Sequence, residues 1–193
     1  MSIGALEIPL DIVCFGGKDV EFSNEISQAV AAADLILALG DIDLSRIASL
    51  IGPSKPALCV LGDYDPRQLP PPPFTPLHGN GVAFKGWRLV GLSGGIANVS
   101  EGPGFTLSDA EAEAILSKTS PTDILISHVP PSGLVAEIGP EPGLDALANY
   151  IDRVRPLYHF HTATIGESTT ICDRTLVVGV DGVLIMPSID LGL

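Results

Sequence analysis

Short apolar runs alternate with segments of helical periodicity along the first third of the chain. The pattern predicts strands at 11–15, 35–39 and 57–61, and helices at 24–33 and 44–51, with Ser23 or Asn24 capping the first helix. Because the three strands are almost wholly apolar and a helix lies between each strand and the next, the order predicts parallel strands covered by helices.

The pattern changes after four consecutive prolines at 70–73, which cannot continue a helix or a central strand and so predict a surface connection. Beyond them we predict a hairpin at 82–84 and 87–92, a long loop at 94–104, helices at 107–118 and 144–154, strands at 123–127 and 157–160, and three short strands near Thr170, Leu176 and Leu184. Together these helices and strands predict an α/β fold in one domain over residues 1–193. The predicted architecture is a four-layer α-β-β-α sandwich of two mixed sheets flanked by helices.

Charge and composition narrow the classes of function. The formal net charge is −13 and the chain has only ten Lys and Arg, so we expect neither general nucleic-acid binding nor adhesion to anionic membranes. No apolar run is long enough to span a bilayer, and no secretory signal is evident at the N-terminus. The three cysteines are widely spaced, which favours reduced, buried thiols in a cytoplasmic protein.

Polar side chains that bind metal ions recur at the ends of the predicted strands. Asp41 and Asp63 each follow Leu-Gly after an apolar strand, His128 follows the strand at 123–127, and His159 and His161 lie at the last predicted strand before the tail. Ligands in open α/β sheets gather at the carboxyl ends of strands. Carboxylate with neutral imidazole suits Mn²⁺, Fe²⁺ or Zn²⁺, so the pattern predicts a divalent-metal site.

The order of these motifs resembles that of the calcineurin-like metallophosphoesterases, whose motifs are D-x-H, G-D-x-x-D/G, G-N-H-D/E, an isolated His and G-H-x-H. The segments at 40–43, 62–65, 127–131 and 158–161 look like the last four motifs, with Asp63, Tyr64 and Tyr158 replacing the usual Asn, His and Gly. The resemblance covers about 12–180 and implies this family's two-sheet sandwich.

The resemblance also implies a role for each residue. Asp41 matches the carboxylate that bridges two ions, Asp63, His128 and His159 match ligands of one ion, and His161 matches a ligand of the other. The D-x-H positions carry Phe15 and Gly17, which offer no ligating side chain. The chain is therefore similar to a degenerate member of the family, with one ion at most. Lys18 is a candidate for facing an anion in place of the missing ion.

Each residue also has a simpler structural interpretation. Gly-Asp after an apolar strand is commonly a turn, which suits Asp41 and Asp63. His128 fits a hydrogen-bonded loop histidine, His159 a core residue, and His161 an exposed one. The loop at 94–104 fits either a substrate-facing segment or a plain connection.

Two functions remain open from the sequence. The first is a phosphoesterase that hydrolyses a small phosphomonoester or phosphodiester with a single divalent metal, with Asp41, Asp63 and His128 as its catalytic residues. The second is a catalytically inactive derivative of the same fold that binds a protein partner as a binding or scaffold module. Loss of D-x-H favours the second, and the nearly complete ligand set for one ion favours the first.

Overall fold

A computed structural model describes residues 9–17, 20–133, 135–136, 139–140, 142–163 and 166–189. In chain order the elements are β1 (Leu10–Gly16), α1 (Asn24–Ala32), β2 (Leu35–Ala38), α2 (Leu44–Ala48), β3 (Ala57–Cys59), β4 (Phe74–Pro76), β5 (Gly81–Phe84), β6 (Trp87–Leu92), β7 (Gly95–Ile96), β8 (Thr106–Leu107), α3 (Asp109–Leu116), β9 (Ile124–Ser127), β10 (Val135–Ala136), β11 (Gly139–Pro140), α4 (Asp145–Val154), β12 (Tyr158–Thr162), β13 (Ser168–Cys172), β14 (Thr175–Val180) and β15 (Gly182–Ile189). No helix within these ranges has both the length and the apolar character needed to cross a membrane.

The first sheet has the strand order β15-β1-β2-β3-β4. Strands β1 to β4 run parallel, which the apolar runs predict for β1, β2 and β3, and β15 pairs antiparallel with β1. Strand β4 was not predicted, because its three residues directly follow the proline run and show no alternation. It lies at the sheet edge, where Pro76 is tolerated because an edge strand leaves some N–H positions unpaired.

The second sheet has the strand order β13-β14-β12-β9-β6-β5. Its four central strands run parallel, and the edge strands β13 and β5 pair antiparallel with their neighbours. The predicted hairpin is confirmed as β5 and β6, and the three predicted tail strands appear as β13, β14 and β15. The last of these joins the first sheet, so the C-terminal part of the chain contributes to both sheets.

Three apolar clusters separate four layers, which confirms the predicted sandwich. The cluster between the sheets contains Leu37 and Leu58 from the first sheet and Trp87, Ile126 and Phe160 from the second. A second cluster packs α1 and α2 against the outer face of the first sheet. A third packs α3 and α4 against the outer face of the second sheet. Burial of these side chains supplies the main driving force for folding.

Local signals fix where two helices begin. The hydroxyl of Ser23 accepts a hydrogen bond from the Ile26 N–H at 3.2 Å and caps α1. Ser108 and Glu111 form a reciprocal capping box at the start of α3. Of the two caps that the sequence left open for the first helix, the structure therefore selects Ser23.

The cysteines are free thiols, as expected, although their burial differs. Cys14 and Cys59 are buried and Cys172 is half-buried. Burial, followed by the nearby charge of Asp65, raises the pKa of the Cys59 thiol to about 12. This thiol therefore stays protonated at neutral pH.

Candidate metal centre

Three polar side chains converge where strands of both sheets end. Asp41 follows β2, Asp63 follows β3 and His128 follows β9. Their ligand atoms all lie within 4.8 Å of one another, and each side chain is less than a tenth exposed. The carboxyl edge of the sandwich thus brings together two carboxylates and one imidazole, as the positions of these residues in the sequence predict.

The imidazole of His128 lies between the two carboxylates. Its Nε2 is 3.3 Å from Oδ2 of Asp41 and 3.2 Å from Oδ1 of Asp63. Its Nδ1 is 2.9 Å from the carbonyl oxygen of Leu39, which has no proton to give, so Nδ1 is the donor. In neutral His128 this bond leaves the lone pair on Nε2, the state that a metal ligand requires.

The outer oxygen of each carboxylate is held by the backbone. Oδ1 of Asp41 accepts a hydrogen bond from the N–H of Tyr64 at 2.8 Å, and Oδ2 of Asp63 accepts one from the N–H of Gly102 at 3.0 Å. The remaining oxygen of each carboxylate faces His128. Two carboxylates and one imidazole, oriented before any ligand arrives, are a donor set that fits one divalent ion.

The backbone around Asp41 is held in an uncommon conformation. Asp41 has a φ of 56°, in the left-handed region that Asp enters more readily than most residues. Oδ2 of Asp65 accepts hydrogen bonds from the N–H groups of Asp41 and Gly62, at 2.8 and 2.7 Å. Burial raises the pKa of Asp65, and these two bonds oppose the rise only in part. Asp65 therefore orients the turn that carries Asp41.

Gly62 lets the strand ends approach closely. A Cβ at this position would lie 2.1 Å from Oδ1 of Asp41 and 2.7 Å from Cε1 of His128. No side chain fits in that space unless the carboxylate moves. The glycine before Asp63 is thus required by the site itself as well as by turn geometry.

Opposing effects act on the pKa of His128. Burial disfavours the charged ring and would lower the pKa. The hydrogen bond and charge of Asp41, the carbonyl of Leu39 and the charge of Asp63 together outweigh burial and raise it above its ordinary value. A cation is therefore favoured among these three side chains, whether it is a proton on His128 or a metal ion.

The other two expected ligands lie apart from this group. His159 and His161 lie two residues apart on β12 with ring centroids 5.6 Å apart, so they share one side of the strand. Neither belongs to the cluster of ligand atoms formed by Asp41, Asp63 and His128. His159 is in register with Leu125 and Val177, which pack against α3 and α4, so this side of β12 faces the helices.

His159 takes part in a different hydrogen-bond chain. Its Nε2 is 2.8 Å from Oγ of Ser127, and that hydroxyl donates to the carbonyl of Val129. Because the hydroxyl proton is used on Val129, Ser127 accepts from Nε2–H of His159. Burial, followed by the charge of His161, lowers the pKa of His159 well below its ordinary value, so the ring is neutral at pH 7. His161 is completely buried, and its Nδ1 lies 3.0 Å from the carbonyl oxygen of Thr162.

Sequence reasoning missed three contributors to the site. Thr162 Oγ1 donates to the carbonyl of Leu39 at 2.8 Å. The same oxygen accepts the hydrogen bond from Nδ1 of His128. Asp65 orients the turn at Asp41, and Gly102 holds Asp63. In the sequence a second Asp follows two residues after Asp41 and again after Asp63, and this repeated spacing could have indicated that Asp65 belongs to the site. No sequence pattern marks Thr162.

The end of β1 carries the two residues at the positions that correspond to D-x-H in the resemblance. Phe15 is completely buried in the cluster beneath α1 and α2, and its ring stacks on that of Phe22 with centroids 6.3 Å apart. Gly17 has a φ of 79° and no side chain. Lys18, the candidate for facing an anion, lies outside the described residues.

Comparisons with known proteins show the fold. The structure is similar to the crystal structure of TT1561 of Thermus thermophilus, with a TM-score of 0.65 and 16% sequence identity over 91% of this chain and 90% of that one. No protein-family model matches the chain, and no curated protein matches it. At that identity the similarity shows a shared sandwich fold and no more.

Proposed function

We propose that this chain is a divalent-metal-dependent phosphoesterase that uses one ion to hydrolyse a small phosphomonoester or phosphodiester. The observation that carries the proposal is that ligand atoms of Asp41, Asp63 and His128 lie within 4.8 Å of one another. A hydrogen bond to the backbone already orients each of these side chains. The motif order that resembles the calcineurin-like metallophosphoesterases supports the phosphoester as substrate.

Each of the three side chains has a defined part in this proposal. Oδ2 of Asp41, Oδ1 of Asp63 and Nε2 of His128 would hold the ion, and three protein ligands leave coordination positions for water and substrate. A bound Mn²⁺, Fe²⁺ or Zn²⁺ supplies Lewis acidity toward a phosphoryl oxygen and a lower pKa for water. Leu39 and Gly102 keep His128 and Asp63 oriented through their backbone groups.

A single ion is proposed because the residues at the D-x-H positions cannot contribute ligands. Phe15 is turned into the core beneath the helices, and Gly17 has no side chain. His159 and His161 lie outside the cluster of Asp41, Asp63 and His128, so they do not complete a second set beside it. The catalytic rate is therefore expected to be lower than a two-ion site would give, since one ion cannot clamp both the attacking and the leaving oxygen.

Metal analysis followed by an assay tests the proposal. Purified protein incubated with Mn²⁺ is expected to retain about one ion per chain and to hydrolyse bis-p-nitrophenyl phosphate. Asp41→Asn, Asp63→Asn and His128→Gln should lose both the ion and the activity. Asp152→Asn removes a carboxylate from the exposed face of α4 and should change neither. Full activity in all three site variants would refute the proposal.

A non-catalytic binding module is the second candidate, and the same site supplies the observation that favours it. Nε2 of His128 already contacts both carboxylates, so a protonated ring satisfies the cluster without any ion. An ion retained without turnover would favour a metal-dependent binding module. No retention at millimolar Mn²⁺ would favour a scaffold that keeps Asp41, Asp63 and His128 as a structural ion-pair cluster.

A further inference from the structure

A cavity of about 150 Å³ opens beside the metal centre. Asp63, His128 and Thr162 form its polar end. The rest of its wall is mainly apolar and is formed by Ile96, Val99, Val129, Pro130 and Pro142. A group attached to a phosphoester held at Asp63 and His128 would therefore meet an apolar surface.

The two hydroxyls beside the apolar wall each make one hydrogen bond within the protein. Oγ of Ser100 accepts a hydrogen bond from the Ile96 N–H at 2.8 Å. Oγ1 of Thr162 donates to Leu39. No Lys or Arg is found among the described residues that line the cavity. A second phosphate or another anionic group would have no cation to pair with there, in a chain whose formal net charge is −13.

The size of the cavity determines which group fills it best. An apolar cavity of ~150 Å³ is large enough for a benzene ring. A nucleoside, which joins a purine to a ribose, is larger than this, so most of its polar sugar would extend beyond the apolar wall. One ring or a branched alkyl group matches both the volume and the chemistry.

From this geometry we infer that the cavity selects phosphoesters whose non-reacting group is a single uncharged apolar ring or a branched alkyl group of similar size. This inference rests on the proposed function for the position of the phosphoryl group. It goes beyond that function by naming the substrate class and by assigning Ile96, Val99 and Val129 as specificity-determining residues. It also excludes nucleotides and polyphosphates as preferred substrates.

Phosphonates test the inference without any requirement for turnover, because they are not hydrolysed. Calorimetric titration of the Mn²⁺-loaded protein should give phenylphosphonate an affinity at least ~10-fold higher than that of methylphosphonate, which corresponds to about 1.4 kcal/mol. Adenosine monophosphate should bind no more tightly than methylphosphonate. Equal affinities for the two phosphonates, no binding of either at millimolar concentration, or tighter binding of the nucleotide would overturn the inference.

A variant of the wall links the preference to this cavity. Val99 is 54% exposed, so Val99→Asn is expected to fold, and it should reduce the phenyl preference to about threefold or less by replacing apolar surface with an amide. Leu69, which is 84% exposed and lies outside the cavity, provides the matched control in Leu69→Asn, with the preference unchanged. If Val99→Asn keeps the full phenyl preference, Val99 does not determine specificity, and the inference that this apolar wall selects the substrate is overturned.

Hydrolysis measured in parallel separates this inference from the proposed function. A phenyl preference in a protein that never hydrolyses bis-p-nitrophenyl phosphate would refute the catalytic proposal and support the apolar subsite. Hydrolysis by a protein with no preference between the phosphonates would support the catalytic proposal and refute the subsite.

Discussion

Asp63 and His128 come from different sheets, yet Oδ1 of Asp63 lies 3.2 Å from Nε2 of His128. Asp63 follows a strand of the first sheet and His128 follows a strand of the second. The candidate metal centre is therefore also a contact between the two halves of the sandwich. Changes in its charge are expected to alter the stability of the fold as well as metal binding.

The stability of the metal-free protein should depend on the protonation of His128. Its pKa is raised in the folded state because Asp41, Leu39 and Asp63 outweigh the effect of burial. A group with a raised folded pKa stabilises the fold fully below its unfolded pKa, near 6.5, and loses that contribution as pH rises through the folded pKa. Urea unfolding in the presence of a chelator should therefore show stability falling as pH increases above about 6.5.

The His128→Gln variant is the control for this pH dependence. Glutamine does not titrate, so the part of the slope above about pH 6.5 that belongs to His128 should disappear. A slope of unchanged size in His128→Gln would show that other groups cause it.

Gly62→Ala should disrupt the metal centre by steric contact. A Cβ at this position would lie 2.1 Å from Oδ1 of Asp41, so the carboxylate must move away from its bond to Tyr64. We expect a loss of about 1–3 kcal/mol in the free energy of unfolding, typical of overpacking. The affinity for Mn²⁺ should fall by more than ~10-fold, the lower end of the loss seen when outer partners of a metal site are removed.

Gly52 provides the matched control, because a Cβ there has nothing within 4 Å. Gly52→Ala should leave the affinity for Mn²⁺ unchanged. Equal affinities in Gly62→Ala and the wild-type protein, measured by titration calorimetry, would contradict the close packing of Gly62 against Asp41.

The sequence predicts the acidic half of the site better than the histidine half. Asp41 and Asp63 directly follow apolar strands that run parallel, and the ends of neighbouring parallel strands must meet at one edge of a sheet. The period of two also places His159 and His161 on the same side of β12. It does not specify which side, because a shift of one residue moves a whole strand's pattern to the opposite face.

In β12 the neighbouring aromatic residues decide which side is chosen. Phe160 is completely buried between the sheets, and Tyr158 packs against the same cluster. The two histidines are thereby turned to the helical side, and Thr162 rather than His161 reaches the carbonyl of Leu39. Aromatic and imidazole residues alternate in this strand, so polarity alone gives no basis for predicting its orientation.

Asp65→Ala should weaken the turn that presents Asp41. The carboxylate of Asp65 accepts hydrogen bonds from the N–H groups of Asp41 and Gly62, and both would lose their partner. We expect the free energy of unfolding to fall by about 1–3 kcal/mol, which is typical when buried donors are left unsatisfied. Mn²⁺ affinity should fall about 10-fold, because the left-handed backbone at Asp41 is no longer fixed.

Asp43→Ala separates this effect from a general loss of stability. Oδ1 of Asp43 accepts a hydrogen bond from the N–H of Arg46 and caps α2, so the variant should lose about 1 kcal/mol of stability. Its affinity for Mn²⁺ should stay unchanged, because Asp43 does not belong to the cluster of Asp41, Asp63 and His128. If the two variants lose metal affinity equally, the specific role of Asp65 is wrong.

His159→Leu distinguishes a structural histidine from a metal ligand. In the structure Nε2–H of His159 donates to Ser127, which in turn donates to Val129 beside His128. Leucine removes the first of these bonds but suits the apolar surroundings of Leu125 and Val177, so we expect a stability loss of about 1 kcal/mol. The affinity for Mn²⁺ should fall less than ~10-fold, whereas His128→Gln should lower it more than ~100-fold by removing a direct ligand. Loss of metal binding in a folded His159→Leu protein, as severe as in His128→Gln, would show that β12 contributes a ligand and that its histidines turn toward the metal centre when the ion binds.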